Sequence, residues 1–197
     1  MRFLLHAVTD LGDSALLLPA SAFLVAYLLY FSTARVVRIW VSTLALCAFL
    51  TLFLKVAFFT CGSAIPAWDL HSPSGHTSLS MTFYGCGALM VSGDKGRATQ
   101  IGMLAAGTLL VIAVAISRVL LHAHTPTEAM LGLCVGVLCV SWFGRRFLAL
   151  PPLSLPWRWA LAVVALLALV THGAHWDFEW AVARIAAFLH SAAPICA

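Results

Sequence analysis

Two short stretches and one lysine hold most of the residues in this chain that could do chemistry. The first stretch is Ser72-Pro73-Ser74-Gly75-His76. The second runs from Ser117-Arg118 through His122 and His124 to Thr125-Pro126-Thr127-Glu128, and Lys55 precedes both. Each lies at the end of an apolar run, where ionisable groups are costly and by default mark function. Ser72 can cap a helix and Pro73 suits its first turn, so the free N–H groups of that turn and the helix dipole would favour an anion. Gly75 lets a ligand approach the backbone, Ser74 adds a hydroxyl, and His76 can move protons near neutral pH. The planar fork of Arg118 matches phosphate oxygens. Thr125 to Glu128 reads as a capping box; Glu128 could also orient an imidazole, and the two roles are compatible. Lys55 reads either as a snorkelling helix-end lysine or as a further cation facing the same anion.

Taken together, Lys55, Ser74, Gly75, His76, Arg118, His124 and Glu128 offer cations, backbone donors, two imidazoles and a carboxylate. Phosphoryl transfer needs such a set. Fixed positive charge stabilises the equatorial oxygens, one histidine can attack phosphorus, and another can protonate the leaving oxygen. Asp69 and Glu128 are the only outer-loop carboxylates near the motifs. The expectation is therefore chemistry without a metal or other cofactor.

These groups must be positioned within a membrane. Of 197 residues, 62% are hydrophobic and 9% charged, with mean hydropathy +1.01. A soluble domain is about half apolar and about a quarter charged, so this chain cannot cover itself with polar surface. The expected fold is an all-α integral membrane protein, one domain over residues 1–197 with its motif core at 55–128. A span needs about 20 apolar residues. Six runs qualify: Ser14–Thr33, Ile39–Phe59, His76–Ser92, Ala98–Leu121, Thr127–Phe143 and Trp159–His172. Trp176–His190 reads as an interfacial helix. The mixed stretch before Ser14 does not read as a cleaved signal. Gly132-x-x-x-Gly136 is a small-residue packing signal.

Arg35, Arg38, Lys95, Arg97, Arg145, Arg146 and Arg158 fall in gaps on one side of such a bundle. The positive-inside rule makes that side cytoplasmic and places the motifs outside. The eleven Lys and Arg are scattered, so no basic face for nucleic acid is formed. Cys47, Cys86, Cys134 and Cys139 lie in apolar runs as small hydrophobes. A disulfide between Cys61 and Cys196 stays open. His172-x-x-His175 has ligand-like spacing but is read as interfacial histidine, and no cysteine pair has zinc-ligand spacing.

The motifs resemble those of the type 2 phosphatidic acid phosphatase superfamily, whose pattern is Lys-x6-Arg-Pro, then Pro-Ser-Gly-His, then Ser-Arg-x5-His-x3-Asp. Here the second motif is complete at Pro73 to His76. The third is Ser117-Arg118, five residues, His124, three residues and Glu128, a Glu in place of the family's Asp. The first motif departs: counting from Lys55, Gly62 and Ser63 stand at the Arg-Pro positions, and no Arg lies between Arg38 and Arg97. His71 or the backbone near Gly62 could substitute. The resemblance implies that His124 is the nucleophile forming a phosphohistidine, held by Glu128, and that His76 is the general acid and then the base. Lys55, Ser74, Gly75 and Arg118 would bind phosphate. His122, His71 and Asp69 match no family position.

The expected partners are a lipid phosphate substrate and membrane lipids. The expected activity is a lipid phosphatase at the outer face of a bacterial inner membrane. The alternatives are a lipid phosphotransferase with the same intermediate, or a non-catalytic protein that binds or transports a lipid phosphate.

Overall fold

The computed structural model of the chain describes residues 2–61, 72–176 and 179–192. Among these there is no β-strand, and eight helices follow in order: α1 (Arg2–Asp10), α2 (Ser14–Phe31), α3 (Ala34–Cys61), α4 (Gly75–Ser92), α5 (Arg97–Leu120), α6 (Pro126–Phe147), α7 (Trp157–Val170) and α8 (Glu179–Ala192). The Cys61–Cys196 pairing, Asp69, His71 and the Gly62-Ser63 positions lie outside the described residues.

Helices α2 to α7 occupy the six apolar runs, but among the described residues four segments are long and apolar enough to cross a membrane: Phe3–Phe31, Ala34–Thr60, Arg97–Leu120 and Pro126–Phe147. The two that fall short do so for different reasons. Helix α7 has 14 residues, about 21 Å at 1.5 Å per residue, against a hydrocarbon core of about 30 Å. Helix α4 is shielded by protein, packing against α2, α3, α5 and α6. It therefore tolerates Thr77, Ser78, Ser80, Thr82 and Ser92, all buried. Except for Ser80 Oγ, its hydroxyls are satisfied locally or by neighbours, since lipid offers no partner: Thr82 Oγ1 donates to the Ser78 carbonyl (2.8 Å), and Thr51 Oγ1 pairs with Ser78 Oγ (2.9 Å). Hydropathy reads such a helix as a weak span when it is the centre of the bundle.

Helix α1 is not marked by the periodicity. It packs along α5 and leads through a tight turn at Leu11–Asp13 into α2, where Asp13 is the N-cap. Far from the motifs, Trp40, Phe83, Phe143 and Phe147 form an aromatic knot joining α3, α4 and α6. Trp40 meets Phe83 and Phe143 edge-on at 5.9 and 6.4 Å. Outward-facing residues such as Phe49, Leu109 and Leu138 are more than 60% exposed. Such a belt fits lipid rather than water, and the chain is a membrane protein.

The antiparallel order gathers one set of helix ends: the starts of α2, α4 and α6 and the ends of α3, α5 and α7. The motifs lie there. Arg35, Arg38, Lys95, Arg97, Arg145, Arg146 and Arg158 lie at the opposite ends. Helix α6 sits hard against α4. A Cβ on Gly132 would fall 2.4 Å from the Ser74 carbonyl oxygen, and one on Gly136 2.4 Å from Met81 Cβ. The Gly132-x-x-x-Gly136 pattern is thus the seam that brings the second motif onto the third.

Candidate active site

The second motif starts its helix later than its serines and proline imply. The N-cap is Ser74, not Ser72, and α4 begins at Gly75. The reason lies in the third motif. The Ser72 N–H donates to Glu128 Oε1 (2.8 Å), and the Ser74 N–H donates to the Glu128 carbonyl (3.1 Å). With those two N–H groups spent on α6, the chain stays extended until Ser74 Oγ can accept from the Thr77 N–H (3.4 Å) and Thr77 Oγ1 (3.0 Å). The Ser74 hydroxyl, expected to face an anion, is fully buried and serves the helix instead.

The third motif is built by how α5 ends. The N–H groups of Ala123 and His124 both donate to the Arg118 carbonyl, at 3.0 and 3.4 Å. His122 takes a left-handed backbone, φ 55°, which non-glycine residues adopt infrequently. This tight turn sets the five-residue spacing and returns His124 to the side of Arg118. Thr125 then caps α6 with a full capping box.

Glu128 fills both roles open to it. Its Oε2 accepts from His124 Nδ1 (2.9 Å) and from the Thr125 N–H (3.1 Å), while Oε1 takes the Ser72 N–H. The His124 and Glu128 side chains are 8% and 7% exposed. With Nδ1 committed to the carboxylate, Nε2 is the nitrogen left for chemistry. Burial pulls the His124 imidazole below its ordinary pKa. The Glu128 hydrogen bond and charge oppose this, and the Arg118 and Lys55 charges add to the lowering. The outcome favours a neutral ring, the form a nucleophile needs.

His76, Arg118, His122, His124 and Glu128 line one cavity of about 840 Å³. Lys55 and Gly75 line an adjoining cavity of about 650 Å³, and His76 and Trp176 belong to both. The second cavity runs between α2, α3 and α4 over apolar residues including Leu18, Val25, Leu44 and Leu79. Lys55 is buried, its Nζ 3.5 Å from Ser72 Oγ and its stem 3.6 Å from the place of a Gly75 Cβ. Four of the seven residues singled out from the sequence thus share one cavity, two line its apolar neighbour, and Ser74 supports them from beneath.

Asp13 and His175 also line the cavity, outside the seven residues read as the phosphate site. Asp13 Oδ2 lies 3.2 Å from His76 Nε2 and 3.2 Å from His175 Nδ1. Asp13 stands 63 residues before His76, in no motif. Its only sequence signal is an acid at the edge of an apolar run. His175 belongs to the His172-x-x-His175 pair, whose partners are carboxylates: His172 Nδ1 is 2.8 Å from Asp10 Oδ2. Among the described residues no group of three His, Cys, Asp or Glu is arranged to hold a metal ion.

The family model described as PAP2 superfamily matches residues 40–150, which contain every residue of the three motifs but not Asp13 or His175. The chain is 28% identical over 130 residues to a Klebsiella pneumoniae protein described as an uncharacterized 22.5 kDa protein in cps region. That match covers 66% of this chain and 62% of the relative, so the chain spans less than two thirds of the relative's length. No solved structure matches. With the family model covering more than half of its length, the chain belongs to the PAP2 superfamily.

Proposed function

We propose that this protein is a metal-independent phosphatase acting on a lipid phosphate or diphosphate through a phosphohistidine. The observation that carries the reading is the His124–Glu128 pair facing His76 and Arg118 across one cavity. The Nδ1–H···Glu128 bond directs the Nε2 lone pair of His124 at phosphorus. As the N–P bond forms, the P–O bond to the lipid breaks, and His76 gives its proton to the departing oxygen. Arg118 and Lys55, whose charges both act on His124, meet the charge on the phosphoryl oxygens. The now neutral His76 then takes a proton from water, whose oxygen attacks phosphorus. Phosphate leaves and His124 is restored.

The neighbouring apolar cavity supports a lipid as the leaving group. It opens at His76, the residue that would protonate that group, and its volume is in the range of about 300–1,000 Å³ that small-ligand sites occupy. Seven cations at the opposite helix ends support a site on the outer face of a bacterial inner membrane. Trp180, in the first turn of α8, suits a helix lying in the interface on that face.

The test is phosphate release by purified protein in detergent with EDTA present. The panel is polyprenyl diphosphate, phosphatidylglycerophosphate, phosphatidic acid and a phosphorylated glycolipid, with His124→Ala alongside. Release that survives EDTA and is lost in His124→Ala supports the reading, and the panel names the substrate. Turnover unchanged in His124→Ala refutes the mechanism. Phosphorylated acceptor lipid in place of free phosphate would make the protein a transferase with the same intermediate.

A further inference from the structure

The N-terminal turn delivers a carboxylate to the second histidine of the site. Asp13 caps α2, but a cap needs only one oxygen. Oδ1 takes the Ala15 N–H at 2.8 Å and the Trp176 N–H at 3.3 Å. Oδ2 is turned to the cavity, onto His76 Nε2 and His175 Nδ1. The carboxylate is 3% exposed, against 19% for His76 and 49% for His175. A buried carboxylate in hydrogen-bonding contact with two imidazoles is expensive to build as a mere helix start.

The turn is also held in place. Tyr84 Oη, from α4, donates to the Leu11 carbonyl at 2.7 Å. Gly12 is wedged so closely that a Cβ would fall 2.4 Å from Val114 of α5 and 2.7 Å from Ser80 of α4. The segment after α7 closes over it: the Gly173 N–H donates to Asp10 Oδ2 (3.0 Å), and Ser14 Oγ donates to the Trp176 carbonyl (2.8 Å). Asp13 thus has a fixed position relative to His76.

We propose that Asp13 is the positioning residue of His76. It holds the ring by Nε2 so that Nδ1 presents the proton to the departing alkoxide, and its charge supports the imidazolium that must supply that proton. This rests on the phosphatase reading above. The two histidines are then held by opposite ring nitrogens, His124 by Nδ1 on Glu128 and His76 by Nε2 on Asp13. Support is needed because His76 lies in the first turn of α4, where the helix dipole disfavours a cation, and shares its cavities with Arg118 and Lys55. The other titratable groups lining those cavities are Cys47, His122, His124, Glu128 and His175.

The test compares two phosphate monoesters on the purified full chain: dodecyl phosphate, whose alkoxide needs a proton to leave, and p-nitrophenyl phosphate, whose phenolate does not. Their ratio of kcat/KM is independent of the amount of folded protein. Asp13→Asn should lower the dodecyl-to-nitrophenyl ratio about 100-fold, the lower end of what a positioned acid contributes. His76→Ala should lower it similarly, and Asp13→Asn in the His76→Ala background should lower it no further. Asp13→Ser keeps a capping oxygen but cannot reach His76, and it gives the same reading if Asp13→Asn does not fold. An unchanged ratio in both Asp13 variants, or a further fall of the ratio in the double variant, overturns the proposal and leaves the phosphatase intact. Absence of His124-dependent turnover in the unsubstituted protein overturns both.

Discussion

Glu128→Gln tests the centre of the site. The carboxylate receives three N–H donors on its two oxygens: His124 Nδ1 and the Thr125 N–H on Oε2, and the Ser72 N–H on Oε1. An amide has one acceptor oxygen, so its NH₂ must face a donor whichever way it is turned. With the oxygen toward His124, the NH₂ opposes the Ser72 N–H and loosens the second motif. With the oxygen toward Ser72, His124 loses its holder and its tautomer. At least one hydrogen bond to a buried charged acceptor is lost, about 1.5–3 kcal/mol of stability. Turnover should fall about 10²- to 10⁴-fold, the scale seen when a histidine loses its orienting carboxylate. The pH profile separates misorientation from simple protonation. Glu128 raises the His124 pKa against the larger effect of burial. Removing its charge lowers that pKa further, so the acid limb of kcat/KM moves to lower pH and raising the pH restores nothing. The assay is phosphate release against pH, with chemical denaturation in the same detergent. Turnover within threefold of the parent, or activity recovered at high pH, would refute the reasoning.

Three further outcomes follow from the same geometry. Because the neutral ring is the nucleophile and its pKa is lowered, the acid limb should be centred below pH 6.5, the ordinary histidine value; a limb centred above that value contradicts the burial of His124. Arg118→Ala should move the limb the other way, upward, since the guanidinium charge depresses the imidazole, and should cut kcat/KM at least tenfold; Arg118→Lys should restore the limb without restoring the two-pronged grip. Gly132→Ala drives a methyl onto the Ser74 carbonyl, so thermal unfolding should shift down by an overpacking cost of about 1–3 kcal/mol, with turnover falling as the two motifs separate. An unshifted melting curve would mean that α4 and α6 do not meet as closely as described.

The features that could be read from the amino-acid order are the local ones. Composition made the chain a membrane protein. Pro73 to His76, Arg118, His124 and Glu128 were legible because their spacings act within one helix start or one turn. The Thr125–Glu128 capping box and the Gly132-x-x-x-Gly136 seam are likewise short-range patterns, and the helices formed at the apolar runs that predicted them. Features that depend on neighbouring elements emerged from the packing of the helices. Ser74 rather than Ser72 caps α4 because Glu128, 56 residues from Ser72, takes the earlier N–H. Helix α4 can be rich in Ser and Thr because four helices shield it from lipid. Asp13 meets His76 across 63 residues because Gly12 and Leu11 are seated between α4 and α5. Periodicity and spacing report the geometry of one element. A contact between elements is set by packing, which leaves only a glycine or an isolated acid in the sequence to mark it.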